Sequence, residues 1–135
     1  MALKVPNARE LEVINAFLAP ALTLRLYSND RTPAGTDVAA DYTEVAGGGY
    51  ASKPLTFANW GITGGDPTIA LYNATQQWVF TGPTNAPGTI YGYYVIETVS
   101  GLLKFAQRFA AGVVPFTPIT GSVIRVTPRI TVESP

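Results

Sequence analysis

The stretch that decides the fold is residues 89–110, TIYGYYVIETVSGLLKFAQRFA. Its first half alternates. Tyr91, Tyr93, Val95 and Glu97 fall on one face, and Ile90, Gly92, Tyr94 and Ile96 on the other. A period of two is that of a strand. Bulk on both faces predicts a strand that is covered on both sides. After Val99-Ser100-Gly101 the alternation resumes, with Leu103, Phe105, Gln107 and Phe109 set against Leu102, Lys104, Ala106 and Arg108. Glycine in the short connection fits a hairpin turn. The hairpin brings Lys104 across from Glu97 as a cross-strand ion pair, worth about 0–1 kcal/mol if exposed.

Working outward, residues 21–28 place Leu22, Leu24 and Leu26 on one side and Thr23, Arg25 and Tyr27 on the other, a half-buried strand. Residues 42–45 are a short strand candidate. Residues 68–73 and 76–81 read as two strands joined by a turn around Ala74, a second hairpin. The tail keeps one register through Ile124, Val126, Ile130 and Val132, but Pro128 falls inside it. A proline there confines the segment to a sheet edge or a bulge, or splits it into two strands. The polar loop at residues 29–37 and the glycines at 47–49 and 64–65 read as turns, because neither glycine run has the lysine or the strand–helix setting of a phosphate cradle.

One helix is expected, near the N-terminus. Asn7 and Glu10 have the spacing of a capping box. Leu11, Ile14 and Leu18 recur at helical spacing, flanked by Val13 and Phe17, and Pro20 ends the pattern. Three turns are marginal alone in water, so this helix needs a surface to dock on. The expected fold is all-β, an antiparallel sandwich of jelly-roll type with a short N-terminal helix. The chain divides into an arm, residues 1–20, and a β-sandwich domain, residues 21–135.

Composition narrows function. The chain of 135 residues has no histidine and no cysteine, and charged residues are 13% of it, against about 25% in a typical soluble domain. Nine basic and nine acidic residues balance. A nucleic-acid binder needs a basic footprint, so that class is not expected. The N-terminus lacks the basic start and apolar run of a signal peptide, and no apolar run reaches the ~20 residues of a membrane span. The expectation is a soluble protein made in a cytoplasm, with no nucleic acid and no membrane as partner.

The carboxylates offer no recognisable catalytic pair. Only Glu97 lies well inside a strand, and it faces Lys104. Asp30, Asp37 and Asp41 cluster around one loop, where oxygen ligands suit calcium, but aspartate is also an ordinary turn residue. No catalytic, cofactor or metal residue is assigned. Asn73-Ala74-Thr75 matches a glycosylation acceptor but sits at an expected turn. The aromatic residues Tyr50, Trp60, Tyr72, Trp78, Tyr91, Tyr93 and Tyr94 suit a core, a protein interface or a sugar-stacking platform.

Several stretches resemble small virion structural proteins of tailed bacteriophages. They are LTLRLYSNDRTPAGTDVAADYTEV, GGYASKPLTFANWGI, TIYGYYVIETVSGLLKFAQRF and SVIRVTPRI. The resembling elements are Asn29-Asp30, Thr32-Pro33, residues 41–44, residues 49–51 with Leu55 and Trp60, and residues 92–95. The closest likeness is to capsid cement, or decoration, proteins. It implies a non-enzymatic homotrimer on the capsid exterior that stabilises contacts between subunits of the major capsid protein. A tail- or fibre-associated module recognising host-surface glycans is the alternative. An enzyme using acids alone, with Asp41 or Glu44, ranks below both. The interface residues expected are Leu11, Ile14, Phe17 and Leu18 on the helix, with Tyr50, Trp60, Tyr91 and Tyr93. The helix either reaches a neighbouring protomer or the capsid, or plugs its own domain.

Overall fold

In the computed structural model the described residues are 7–65 and 67–132. They form a mostly β structure of antiparallel sheets with one short helix. Residues 1–6 of the expected arm, Asp66 and Glu133 lie outside the described residues, as does the Asn7 side chain of the capping box.

Helix α1 spans Asn7–Leu18. It leads into β1 (Leu22–Tyr27), which pairs on one side with β2 (Lys53–Leu55) and on the other with β6 (Gly92–Glu97). Strand β7 (Leu103–Arg108) completes this sheet, in the order β2-β1-β6-β7. The hairpin at residues 89–110 is therefore present, and β6 is an inner strand as its two bulky faces require. Five of its six residues are buried. Lys104 Nζ lies 3.6 Å from Glu97 Oε2. A bulge falls where Val95 opposite Phe105 is followed by Ile96 opposite Leu103, so that Lys104 is the extra residue.

A second hairpin does not form. Strands β4 (Thr68–Tyr72) and β5 (Gln76–Val79) are both present but belong to different sheets. A two-residue hairpin turn needs φ > 0 at its central residues, and none of the described non-glycine residues has positive φ. The chain instead bends. Strand β4 pairs with β3 (Trp60–Thr63) and with β9 (Arg129–Val132), while β5 pairs with β8 (Val123–Val126). Pro128 splits the tail into β8 and β9, and leaves β9 on a sheet edge. Residues 68–79 and residues 123–132 thus make one long ribbon with a common corner. Leu71 faces Arg129 and Gln76 faces Val126, so residues 72–75 run against residues 127–128 alone. The corner is pinned by Tyr72 N–H donating to Pro128 O at 2.9 Å and by a 2.8 Å hydrogen bond between the Thr75 and Thr127 hydroxyls.

All three sheets feed one core. Leu22, Leu24 and Leu26 of β1, Val95 of β6, Ala70 and Tyr72 of β4, Trp78 of β5 and Ile124 of β8 all enter it. The helix adds Ile14 and Leu18, both essentially inaccessible. Burying each of these side chains contributes about 1.5–3 kcal/mol, which supplies the stability that a three-turn helix lacks. Glu10, also buried, accepts a hydrogen bond from the Thr68 hydroxyl at 3.0 Å and sets the height of the helix on β4. Phe17 meets Phe105 of β7, ring centroids 6.4 Å apart.

The outer face of the first sheet is covered too. Tyr27, expected on the solvent side of β1, is fully buried in a second cluster with Tyr42, Tyr94 and Ile96. The loop after β1 folds back over that face and lays the Tyr42 ring on Tyr94, centroids 5.2 Å apart. The strand expected at residues 42–45 shrinks to a single bridge, Glu44 to Tyr27. Gly92 is required beneath this lid, because a Cβ there would overlap Gln107 O and the Tyr27 ring.

Candidate functional site

The loop that follows β1 is held by its charges. The Arg31 guanidinium bonds both carboxylate oxygens of Asp37, whose side chain is only 1% exposed. The Tyr42 hydroxyl donates to Asp37 Oδ2 at 2.6 Å and the Ala34 N–H donates to the same oxygen at 3.1 Å. Arg31 first, then Tyr42, holds the Asp37 carboxyl well below the usual carboxylate range. Asp41 caps the following 3-10 turn (Ala39–Asp41) by accepting the Val38 N–H at 2.8 Å, and also lies 3.7 Å from Arg31. Asp30 turns the other way, to Arg108 at 2.6 Å. The acidic residues weighed as a calcium loop thus point at guanidinium groups. Among the described residues no group of three potential metal ligands converges.

The other described acids are engaged as well. Glu12 pairs with Arg9, Glu97 with Lys104 and Glu44 with Arg25. Glu44 also accepts the Tyr50 hydroxyl at 2.9 Å. Burial first, and then the neighbouring Glu44 charge, push the Tyr50 phenol far above its ordinary value. Burial likewise raises Tyr93. These networks bind the protein to itself.

The expected interface residues divide by position. Ile14, Leu18, Trp60 and Tyr93 are core side chains with almost no surface of their own. Trp60 lies edge-on to Tyr72 at 5.1 Å. Phe17, Tyr50 and Tyr91 are half-buried. Tyr50 is stacked on Trp78, and Tyr91 lies beneath the Arg108 guanidinium at 5.1 Å. Leu11 is 45% exposed on the outer side of the helix. Six of the seven rings considered for a sugar platform are therefore packed against another ring, and the seventh, Tyr91, lies under Arg108. The helix docks on its own domain through Ile14, Leu18 and Glu10.

The exposed apolar surface lies elsewhere. Val99 at the tip of the β6–β7 hairpin is 92% exposed and Leu102 is 66% exposed. Val38 is exposed as well and shares with Leu102 a hollow of about 410 Å³ lined by residues 37–40 and 101–103. A second exposed group, Val113 and Ile119, lies in the loops before β8. None of these residues is among the expected interface residues, which are all helical or aromatic positions. For Val99 the signal was a valine in a tight turn, where polar residues are the rule.

Among the described residues no helix is long and apolar enough to cross a membrane. Compared with protein-family models, with curated proteins and with solved structures, the chain matches none.

Proposed function

We propose that this chain is a non-enzymatic structural protein of a tailed-bacteriophage virion: a capsid cement protein that sits on the capsid exterior and bridges subunits of the major capsid protein. In this reading its sheets form a jelly-roll-like sandwich, and it acts as a homotrimer. The observation that carries the proposal is the division of labour among side chains. The described acids are spent on internal ion pairs and hydrogen bonds, while bare aliphatic side chains such as Val99, Leu102 and Ile119 stand out on loops and tips. Such a surface suits repeated contact with copies of a large partner, where each weak contact adds to an already tethered complex. The bacteriophage resemblance of residues 22–45 and 89–109 supplies the partner.

The experiment is to add the purified chain to capsids assembled from the major capsid protein alone. Saturable binding at symmetry-related positions, with a raised capsid disruption temperature, is expected. A chain that stays in the supernatant at every concentration overturns the proposal.

A further inference from the structure

Strand β7 is an edge of its sheet, and its outward backbone groups have no partner. The Phe109 N–H donates to Tyr91 O at 2.9 Å, which makes that pair hydrogen-bonded toward β6. Antiparallel ladders alternate. Gln107 opposite Tyr93 and Phe105 opposite Val95 therefore also face β6, whereas the N–H and C=O of Ala106 and Arg108 face away from it. No hydrogen bond among the described residues uses those four groups.

The space beside the Ala106 end of this edge is a trough. One hollow of about 340 Å³ lies between residues 33–35 and residues 103–106. The hollow of about 410 Å³ under the hairpin tip adjoins it, and Asp37 and Leu103 line both. The trough thus runs along β7 from Gly101 to Ala106, with Val38 and Leu102 at its apolar end. Exposed edges of this kind accept an extended chain as an added strand.

Charge selects the occupant. Two copies joined antiparallel through β7, with Ala106 opposite Ala106, would set Lys104 against Arg108 twice. Like charges directly opposite are unfavourable, although here the pairing of Lys104 with Glu97 and of Arg108 with Asp30 reduces the effect. An acidic strand meets the reverse situation. Arg108 uses Nη1 for Asp30 and Arg31 O, and its Nε and Nη2 make no hydrogen bond among the described residues. That leaves one edge of the guanidinium for an incoming carboxylate, the geometry in which arginine binds best.

We propose that the β7 edge is a docking site for an extended acidic segment of another protein, added antiparallel as a fifth strand. This inference stands apart from the virion reading. Its test is a nuclear magnetic resonance titration of the full chain with an acetylated, amidated heptapeptide of alternating valine and glutamate. Saturable downfield shifts of the Ala106 and Arg108 amides are expected, with slowed exchange at both. The same peptide N-methylated at its central residues keeps every side chain but loses the donors that the new ladder needs, and should bind at least tenfold more weakly. Ala106→Pro removes an N–H that β6 does not use and should have the same effect. Arg108→Gln should weaken binding severalfold. Absence of shifts at Ala106, or equal binding of the N-methylated peptide, overturns the proposal. A doubling of solution mass that Ala106→Pro abolishes also overturns it, in favour of a second copy.

Discussion

The two tryptophans present a controlled comparison. Trp78 Nε1 donates to Ala51 O at 2.7 Å. Trp60 Nε1 is buried with no hydrogen-bond partner among the described residues, a condition that costs about 1–3 kcal/mol. Replacing Trp60 by Phe removes that cost together with some packing, whereas replacing Trp78 leaves Ala51 O unpaired. Trp78→Phe should therefore be the more destabilising change, by about 1 kcal/mol or more in denaturant unfolding. Titration follows from the same local accounting. The Asp37 carboxyl ionises in the folded chain well below its ordinary 3.8. The unfolded chain binds this proton first as pH falls, so the stabilisation is full above pH 4 and is lost progressively below it. Asp37→Asn should flatten the acid limb of a stability–pH curve. At the other end, burial above all pushes the Tyr27 phenol up from 10.0 to about 12. Its contribution is complete below pH 10 and declines as pH rises toward 12, because the unfolded chain ionises first. At pH 11 the folded chain should therefore show less than the full tyrosinate absorbance of its seven tyrosines, with the remainder appearing on unfolding, and a full tyrosinate signal from the folded chain would contradict the burial of Tyr27.

Elements show what periodicity can and cannot carry. Helix α1 was legible because Leu11, Ile14 and Leu18 recur at its period, yet they do not have equal shares. Ile14→Ala or Leu18→Ala should cost about 2–5 kcal/mol, and Leu11→Ala should stay within about 0.5 kcal/mol, measured by thermal unfolding. A comparable loss at Leu11 would mean that its outer face is covered in solution. The β6–β7 hairpin was legible for a different reason: a local turn with Gly101 at φ 75° joins two strands that touch at once. The pairing of β4 with β9 and of β5 with β8 was not legible. The partners are 44 to 64 residues apart, and alternation in one strand carries no label for its neighbour. Tyr27 is the same lesson in one residue. Its alternating position marks the outer face of β1, but only the loop that folds back at Asp37 and Tyr42 makes that face an interior.

On the scale of the whole molecule, the exposed aliphatic residues form the surface that a partner would use. Val99→Asp together with Leu102→Asp should leave the unfolding temperature unchanged within about 2 °C, since neither side chain fills the core, while reducing attachment to capsids. Loss of folding in that variant would place the hairpin tip in a buried contact. From the sequence alone come the scarcity of charge, the absence of histidine and cysteine, the strand periods, the N-terminal helix and an interruption of the tail strand at Pro128. Each is a property of composition or of neighbouring residues. The tertiary structure decided which strands pair, which aromatic rings are core, and which aliphatic side chains remain outside. Those outcomes depend on burial against residues distant in the chain, and burial is a property of the assembled core that no local pattern encodes.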